Sequence, residues 1–450
     1  MKFGRLIPVA VVSSLLVLLR PGGLHAQSGH PGQAFSADDV LSRMTMKGKR
    51  FIAVSIPTSG SSRAPTDAFC RRNYGYHCYS PQEMRNAYGV TSLLNAGYTG
   101  KGQTIVIIDA FGSPTIAEDL HGFDAAYGLP DPPSFKVLAP LGTVPFDLFN
   151  SDQLGGAFET TEDVEWAHAM APDAGIVLLT SPVAETYGVR GLPEFLFLEK
   201  YALKLHLGNI ISQSWGVTEN TLFTPAGRQL LDEFELFYRD AAQQQVTVLA
   251  GAGDFGTSNL MTDNTTYYKF PTVFFPASSP FVTAVGGTSL YLDASGNYQS
   301  ETVWNDVFGT SGLGAGGGGV SQIFSEPRYQ HLLPNSIQKT LQNHRGIPDV
   351  AFDADAKTGG FRYSRFLFFG YSLAYGTSLG SPCWAGIIAD ANQMAGHPLG
   401  FLNPKLYLLG ATIGQSKFFH DITIGNNSFN GVPGYRATIG WDFTTGWGDP

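Results

Sequence analysis

Charged residues are scarce in this chain. They make up 14% of its 450 residues, and 28 Lys and Arg against 37 Asp and Glu give a formal net charge of −9. A nucleic-acid surface needs clustered basic side chains, so this composition excludes nucleic acid as a partner. Aromatic residues reach 13%, and there are 54 Gly and 27 Pro. The aromatic content excludes disorder and the Gly and Pro content excludes a coiled coil, so we expect a packed core.

Several catalytic and binding motifs are also missing. No G-x-x-x-x-G-K-[ST] phosphate loop and no H-E-x-x-H zinc motif occurs. A His-Gly-Thr-His segment, which a histidine-dependent subtilisin would carry, is absent, and His121-Gly122-Phe123 does not match it. Three cysteines are too few for a disulfide scaffold. Cys70 and Cys78 either pair or remain thiols, and Cys383 is expected to be a buried apolar residue.

The N-terminus has the order of an export signal. Lys2 and Arg5 precede an apolar run from Leu6 to Leu19, and Ala26 offers a small residue for cleavage. The run is shorter than the ~20 residues that a membrane span requires. We therefore predict a signal peptide over 1–26, a short pro-segment or linker over 27–78, one folded domain over 79–450, and a secreted mature protein without a membrane.

Continuous apolar runs alternate with helical stretches along the predicted domain. The predicted strands are 105–108, 176–179, 210–211 and 246–250, and the predicted helices are 115–127, 158–170, 193–205 and 228–244. Buried strands that alternate with helices indicate an α/β fold, with a parallel sheet covered by helices on both faces. The glycine-rich stretch from Gly312 to Gly319 is expected to be a mobile loop.

A serine stands where a predicted strand turns into a helix. Gly376-Thr377-Ser378 follows an apolar stretch, and Pro382 is expected in the first helical turn that follows. A helix N-terminus favours negative charge that develops near a serine hydroxyl, which suits a nucleophile. An ordinary helix cap explains the same residue. Gly287-Thr288-Ser289 repeats the tripeptide, but an apolar run that indicates a strand follows it.

Three acidic residues are the other candidates for chemistry. Glu159 and Asp163 are four residues apart, so they share one face of a helix, and one pKa of such a close pair should rise. Glu162 and Glu165 fall on another side and are expected to be solvated. The alternative for Glu159 and Asp163 is an exposed first turn. Asp254 follows a strand pattern and a Gly-rich turn; it is either a site residue or a turn former.

Together these residues resemble the sedolisin family, the serine-carboxyl peptidases, from about Tyr79 to Pro450. The resemblance implies a subtilisin-like fold with a single catalytic domain, and hydrolysis of peptide or protein substrates by a monomer. It implies Ser378 as nucleophile, Glu159 as base, Asp163 as supporting acid and Asp254 as oxyanion donor. Because a carboxylate base works near pH ~4, where histidine is protonated, an acidic optimum is expected.

The resemblance also implies one structural Ca²⁺ near the C-terminus. The implied ligands are the side chains of Asp421 and Asp442 with the carbonyls of Ile422, Thr438 and Gly440. Oxygen donors on Gly-rich loops suit this cation. The alternative interpretation is that the two aspartates only form turns.

Three alternatives remain open on the sequence alone. One is a neutral subtilisin-type protease that uses Asp109 and an unrecognised histidine. A second is a di-iron oxidase with Glu118-x-x-His121 and Glu165-x-x-His168, although that chemistry requires a four-helix bundle. The third is an inactive calcium-bound binding protein on the same fold.

Overall fold

The computed structural model describes residues 64–308, 311–366, 370–414 and 417–450. The predicted signal peptide and most of the predicted pro-segment lie outside these residues. The α-helices are α1 Asp67–Tyr74, α2 Pro81–Ala87, α3 Val90–Asn95, α4 Ile116–Tyr127, α5 Ser151–Met170, α6 Leu192–Lys204, α7 Pro225–Gln243, α8 Asn335–Leu341, α9 Thr377–Ala395 and α10 Asn403–Leu408. The strands are β1 Thr104–Ala110, β2 Phe135–Leu138, β3 Gly175–Ser181, β4 Ile210–Gln213, β5 Val217–Thr218, β6 Thr247–Gly251, β7 Phe274–Phe275, β8 Thr283–Leu292, β9 Tyr298–Val303, β10 Asn305–Phe308, β11 Ser311–Ala315, β12 Gly319–Ser325, β13 His344–Ile347, β14 Val350–Asp353, β15 Gly360–Ser364 and β16 Gly370–Ala374.

A sheet in the order β14-β8-β6-β4-β1-β3-β2 forms the centre of the fold. These seven strands pair in parallel, and β9 pairs antiparallel with β8. Alternate residues of β1 enter different cores: Ile105 and Ile107 join one cluster, and Val106 and Ile108 join the other. Helices α4, α5 and α9 cover the first face, and α6 and α7 cover the second. The predicted α/β fold, with a parallel sheet buried on both faces, is confirmed.

The described residues that precede Tyr79 pack against the domain. Cys70 and Cys78 form a disulfide, and Cys383 is a buried free thiol. Both half-cystines pack in one apolar cluster with Phe361 and Tyr371 of the β15–β16 hairpin. Among the described helices, none combines the length and apolar character that a bilayer crossing demands.

The glycine-rich stretch from Gly312 to Gly319 contains most of one strand and the start of another, so the expectation of a mobile loop is wrong. Residues 311–315 form β11, which pairs with β10. A methyl group on Gly316 would approach the Gly287 carbonyl oxygen to 2.9 Å, and one on Gly317 would collide with the Ala252 carbonyl. The glycines therefore allow close backbone packing beside β6 and β8, which a sequence pattern of loop residues does not reveal.

Candidate active site

A cavity of about 400 Å³ opens at the carboxyl ends of the central strands. Ser378 lines it together with Glu159 and Asp254. The other ionisable side chains on its wall are Asp109, Asp152, Glu185, Tyr187 and Arg190. Of the residues that the structure describes, no histidine lines this cavity. The cavity therefore offers a hydroxyl and carboxyl groups, and no imidazole base.

Ser378 is the second residue of α9. Gly376, which precedes the helix, has φ 99°, and a methyl group there would lie 2.7 Å from Asp254 Oδ2. Only glycine combines this left-handed backbone with so close an approach. The Ser378 hydroxyl donates to the Ser214 carbonyl oxygen at 3.5 Å. The serine is thus held at a helix N-terminus that faces the cavity.

Pro382 lies beyond the first helical turn, as the sixth residue of α9, so its expected position is wrong. A proline nitrogen cannot donate to the carbonyl four residues earlier, which here belongs to Ser378. That carbonyl oxygen instead lies 3.1 Å from the Ser214 hydroxyl. The same hydroxyl lies 2.8 Å from Asp163 Oδ1. Ser214, which the family resemblance implies only as part of a substrate-lining strand, therefore bridges Ser378 and Asp163.

Helix α5 begins at Ser151, so Glu159 and Asp163 lie well beyond its first turn. The alternative of an exposed first turn is therefore wrong. A methyl group on Gly156 would collide with the Ala110 carbonyl, so glycine at this position lets α5 approach β1. That approach brings Glu159 within electrostatic range of Asp109, which stands near the end of β1.

Three carboxyl groups interact in this cluster. Burial raises the pKa of Asp163 well above its ordinary value, and the charges of Asp109 and Glu159 raise it further. Burial likewise raises the pKa of Asp109, with Glu159 as the second cause. Asp109 and Asp163 are 1% and 0% exposed, so their ionised forms would be nearly unsolvated. The expected rise of a pKa in this pair is confirmed, and Asp109 joins the pair as a third carboxyl.

Asp254 makes a long-range contact. Its Oδ1 accepts hydrogen bonds from the Thr377 backbone N–H at 2.8 Å and from the Thr377 hydroxyl at 2.9 Å. Gly253, which has φ 103°, provides the turn after β6. A turn former would bond to its own loop, whereas Asp254 bonds to the residue before Ser378.

Glu162 and Glu165 are 1% and 0% exposed, so the expectation that they are solvated is wrong. Glu162 forms an ion pair of 2.5 Å with Arg362, and Glu165 accepts a hydrogen bond of 2.8 Å from the Tyr363 N–H. Both partners belong to β15, about 200 positions further along the chain. The β15–β16 hairpin therefore covers the side of α5 that carries Glu162 and Glu165, which helical spacing alone assigns to solvent.

Comparison with known proteins finds similar curated relatives. The chain is 36% identical to kumamolisin of Bacillus sp. (strain MN-32) over 375 residues, which cover 83% of this chain and 62% of that protein. It is 31% identical to sedolisin of Pseudomonas sp. (strain 101) over 380 residues, which cover 82% of this chain and 59% of that protein. Over most of its length the chain is therefore similar to these two members of the sedolisin family. It thus spans less than two thirds of these curated relatives. No protein-family model matches it.

A solved structure shows the same sedolisin fold. The structure of Pseudomonas sedolisin, a serine-carboxyl proteinase complexed with two molecules of pseudo-iodotyrostatin, superimposes with a TM-score of 0.70 at 29% identity. The match covers 83% of this chain and 95% of that one. The subtilisin-like, single-domain α/β fold that the family resemblance implied is confirmed.

The calcium ligands that the sedolisin resemblance implies lie together on the C-terminal loops. Asp421 Oδ2 accepts a hydrogen bond from the Gly440 N–H at 3.0 Å, and Asp442 Oδ2 accepts one from the Thr438 N–H at 2.7 Å. Gly440 has φ 83°, which allows the loop to turn between the two carboxylates. Because all the implied donors, including the Ile422 carbonyl, are oxygens, the set fits Ca²⁺.

Buried carboxyls make stability depend on pH. Burial raises the pKa of Glu219, Glu235 and Asp355 to about 7. A carboxyl with a raised pKa binds more protons in the folded chain than in the unfolded chain. Its stabilisation is complete below the unfolded pKa of ~4 and is lost as the pH rises towards 7. Each group contributes up to about 3 kcal/mol to the difference in the free energy of unfolding between acidic and neutral pH.

We therefore expect the free energy of unfolding to be several kcal/mol higher at pH 4 than at pH 7.5. Urea unfolding of the Ser378→Ala protein, which cannot digest itself if Ser378 is the nucleophile, measures it at both pH values. The variant Glu219→Gln should flatten the profile, because glutamine does not titrate. Equal stability at the two pH values would contradict the expectation.

Proposed function

We propose that this chain is a secreted serine-type peptidase that is active at acidic pH and hydrolyses peptide bonds through an acyl-enzyme. The observation that carries the proposal is the cavity that Ser378 lines together with carboxyl groups and, among the described residues, without a histidine. The curated relatives kumamolisin and sedolisin support a peptidase of the serine-carboxyl type. The substrate is a peptide or protein, and the export signal over 1–26 supports secretion.

In the proposed mechanism, Ser378 Oγ attacks the scissile carbonyl carbon while Glu159 accepts the hydroxyl proton. Glu159 then donates this proton to the leaving amine, and a water molecule hydrolyses the ester by the same sequence. Asp163 acts through Glu159: it orients and electrostatically tunes this base from a position one helical turn away. Protonated Asp254 and the Ser378 N–H stabilise the oxyanion. Asp254 Oδ1 accepts both hydrogen bonds from Thr377, so this proposal assigns the donated proton to Oδ2.

Calcium in this proposal has a structural role. Asp421 and Asp442, with the carbonyls of Ile422, Thr438 and Gly440, would hold the ion and join the two C-terminal loops. The ion supplies charge neutralisation between the carboxylates and takes no part in the peptide-bond chemistry.

Two other functions fit the structure less well. A subtilisin-type Ser-His-Asp protease needs an imidazole beside Ser378, and among the described residues none lines the cavity. The two Glu-x-x-His units of the di-iron alternative form no cluster of metal ligands in the described part of the chain. An inactive binding protein on this fold differs from the peptidase in activity alone.

The pH dependence of hydrolysis tests the proposed mechanism. We expect kcat/KM for an internally quenched peptide to be highest near pH ~4 and to fall at least about tenfold by pH 7.5, because Asp254 must be protonated and Glu159 ionised. Mass spectrometry of the products separates internal cleavage from release of tripeptides. A return to pH 4 after incubation at pH 7.5 controls for denaturation. Comparable cleavage at pH 4 and pH 8 would contradict the proposal.

A further inference from the structure

A second cluster of ionisable side chains lies apart from the cavity and near the end of the chain. Glu301 of β9, His420 and Asp449 each place one ligand atom within 4.8 Å of the other two. His420 Nδ1 lies 2.8 Å from Asp449 Oδ1. The backbone N–H of His420 donates to the backbone carbonyl of Asp449 at 3.0 Å. Among the described residues this is the one group of three such side chains close enough to share an ion.

Two carboxyl oxygens in this cluster receive no hydrogen bond from an N–H or hydroxyl group. Glu301 Oε1 accepts from the Tyr88 hydroxyl at 2.8 Å and from the Thr288 hydroxyl at 2.6 Å, whereas Glu301 Oε2 is buried and unpartnered. Asp449 Oδ2 is equally buried and unpartnered. The two residues are 5% and 0% exposed. The two carboxyls lie within hydrogen-bonding range of each other. Two buried oxygens that no N–H or O–H group reaches are disfavoured side by side, so they hold either a shared proton or a cation between them.

Positive charge near these carboxyls is also missing. In the described residues, the ion pairs of Glu301 and Asp449 include no lysine or arginine, and His420 is the one basic partner. Burial raises the pKa of both carboxyls, that of Asp449 to about 7, because their ionised forms are nearly unsolvated. A divalent cation between them would neutralise the charge that one imidazole cannot balance.

We propose that Glu301, His420 and Asp449 bind one divalent transition-metal ion of the zinc class. An imidazole nitrogen with two carboxylate oxygens is a donor set that such ions accept, whereas calcium and magnesium prefer oxygen donors alone. Ligands at ~2.1 Å from a tetrahedral ion lie ~3.4 Å from one another, so the three side chains need to move by only about 1 Å. Water completes the coordination.

The surroundings suit a bound ion. The His420 side chain is 41% exposed, which gives an ion a path from solvent. The Tyr298 ring stacks on the imidazole with centroids 3.9 Å apart and fixes its plane. The ion would join β9, the loop that contains His420, and the last residues of the described chain. Its donors are distinct from Asp421 and Asp442, and the inference does not depend on the proposed peptidase activity.

Zinc binding by the tag-free full chain at pH 7, with calcium in excess, tests the inference. We expect one zinc per chain by elemental analysis, with an affinity measured by competition with a fluorescent chelator. His420→Gln should weaken binding by at least about 100-fold. His121→Gln is the matched control, because His121 also contacts an aspartate at 2.8 Å but lies on the surface. Asp442→Asn should retain zinc.

Zinc that binds the wild type and His420→Gln equally, or no binding to the wild type, would overturn the inference. Circular dichroism checks that each variant folds, and Glu301→Gln and Asp449→Asn repeat the test. A measurement without variants uses diethyl pyrocarbonate, which modifies exposed histidines. Zinc should protect His420 and leave His121 reactive in peptide mass maps. Equal modification of His420 with and without zinc would overturn the inference.

Discussion

Replacement of Ser378 by Ala is expected to lower kcat for peptide hydrolysis by about 10⁴- to 10⁶-fold, because no other group would form the acyl-enzyme. KM should change little, since alanine keeps the Cβ of Ser378 and lacks only the hydroxyl. Steady-state hydrolysis of the quenched peptide at pH 4 measures the change. Trapping of a covalent ester with a slow substrate should succeed in the wild type and fail in the variant.

The chain contains its own control for this experiment. Gly287-Thr288-Ser289 repeats the tripeptide around Ser378, but it lies in β8, and its serine hydroxyl donates to Asp355 at 2.7 Å. Ser289→Ala should lose that hydrogen bond and retain activity within about twofold. A loss of activity in Ser289→Ala equal to that in Ser378→Ala, with both proteins folded, would refute the assignment of the nucleophile.

Glu159→Gln carries the second large effect. Glutamine preserves the shape of the side chain but cannot accept the hydroxyl proton, so kcat should fall by about 10²- to 10⁴-fold. The residual activity should also lose the acidic limb of its pH profile, because the group that titrates there is gone. Pre-steady-state kinetics should show that acylation, rather than product release, has become slower.

Glu165→Gln is the matched control on the same helix. Burial raises the pKa of Glu165 well above its ordinary value, so at pH 4 this carboxyl is protonated and glutamine closely resembles it. The glutamine oxygen can still accept the hydrogen bond from the Tyr363 N–H. Activity in Glu165→Gln should therefore persist. If Glu159→Gln retained wild-type kcat and the wild-type pH profile, a carboxylate base at this position would be excluded.

The central fold was predictable because its strands are buried on both sides. Runs such as Ile105–Ile108 are apolar without interruption, which is typical of a parallel sheet. The start of α5 was harder to predict. Gly155 and Gly156 each lower helix propensity by about 1 kcal/mol relative to alanine, so the local pattern indicates a helix only from Phe158. Tertiary packing explains the difference, since Gly156 lets the helix approach β1.

The site was predictable in its residue types but not in its contacts. The spacing of Glu159 and Asp163 is a local property of one helix, and sequence reveals it. The burial of Glu162 depends on Arg362, which is distant in the chain, and no local period encodes such a pair. Likewise, a role for Ser214 depends on its proximity to α9. Sequence therefore predicted the acidic groups, and the fold determined which of them meet.

The hydroxyl of Ser214 has one hydrogen and two oxygen neighbours, Asp163 Oδ1 and the Ser378 carbonyl. The hydroxyl donates to both acceptors and shares its one hydrogen between them. If Asp163 is protonated, it can donate to Ser214 instead, and the Ser214 hydrogen is then free for the carbonyl. The raised pKa of Asp163 favours this arrangement in acid. Loss of that proton would turn the Ser214 hydroxyl towards Asp163. The Ser378 carbonyl, to which Pro382 cannot donate, would then lose its hydrogen bond. The backbone that presents the nucleophile would thus be coupled to the acidity of the medium through a single rotatable hydroxyl.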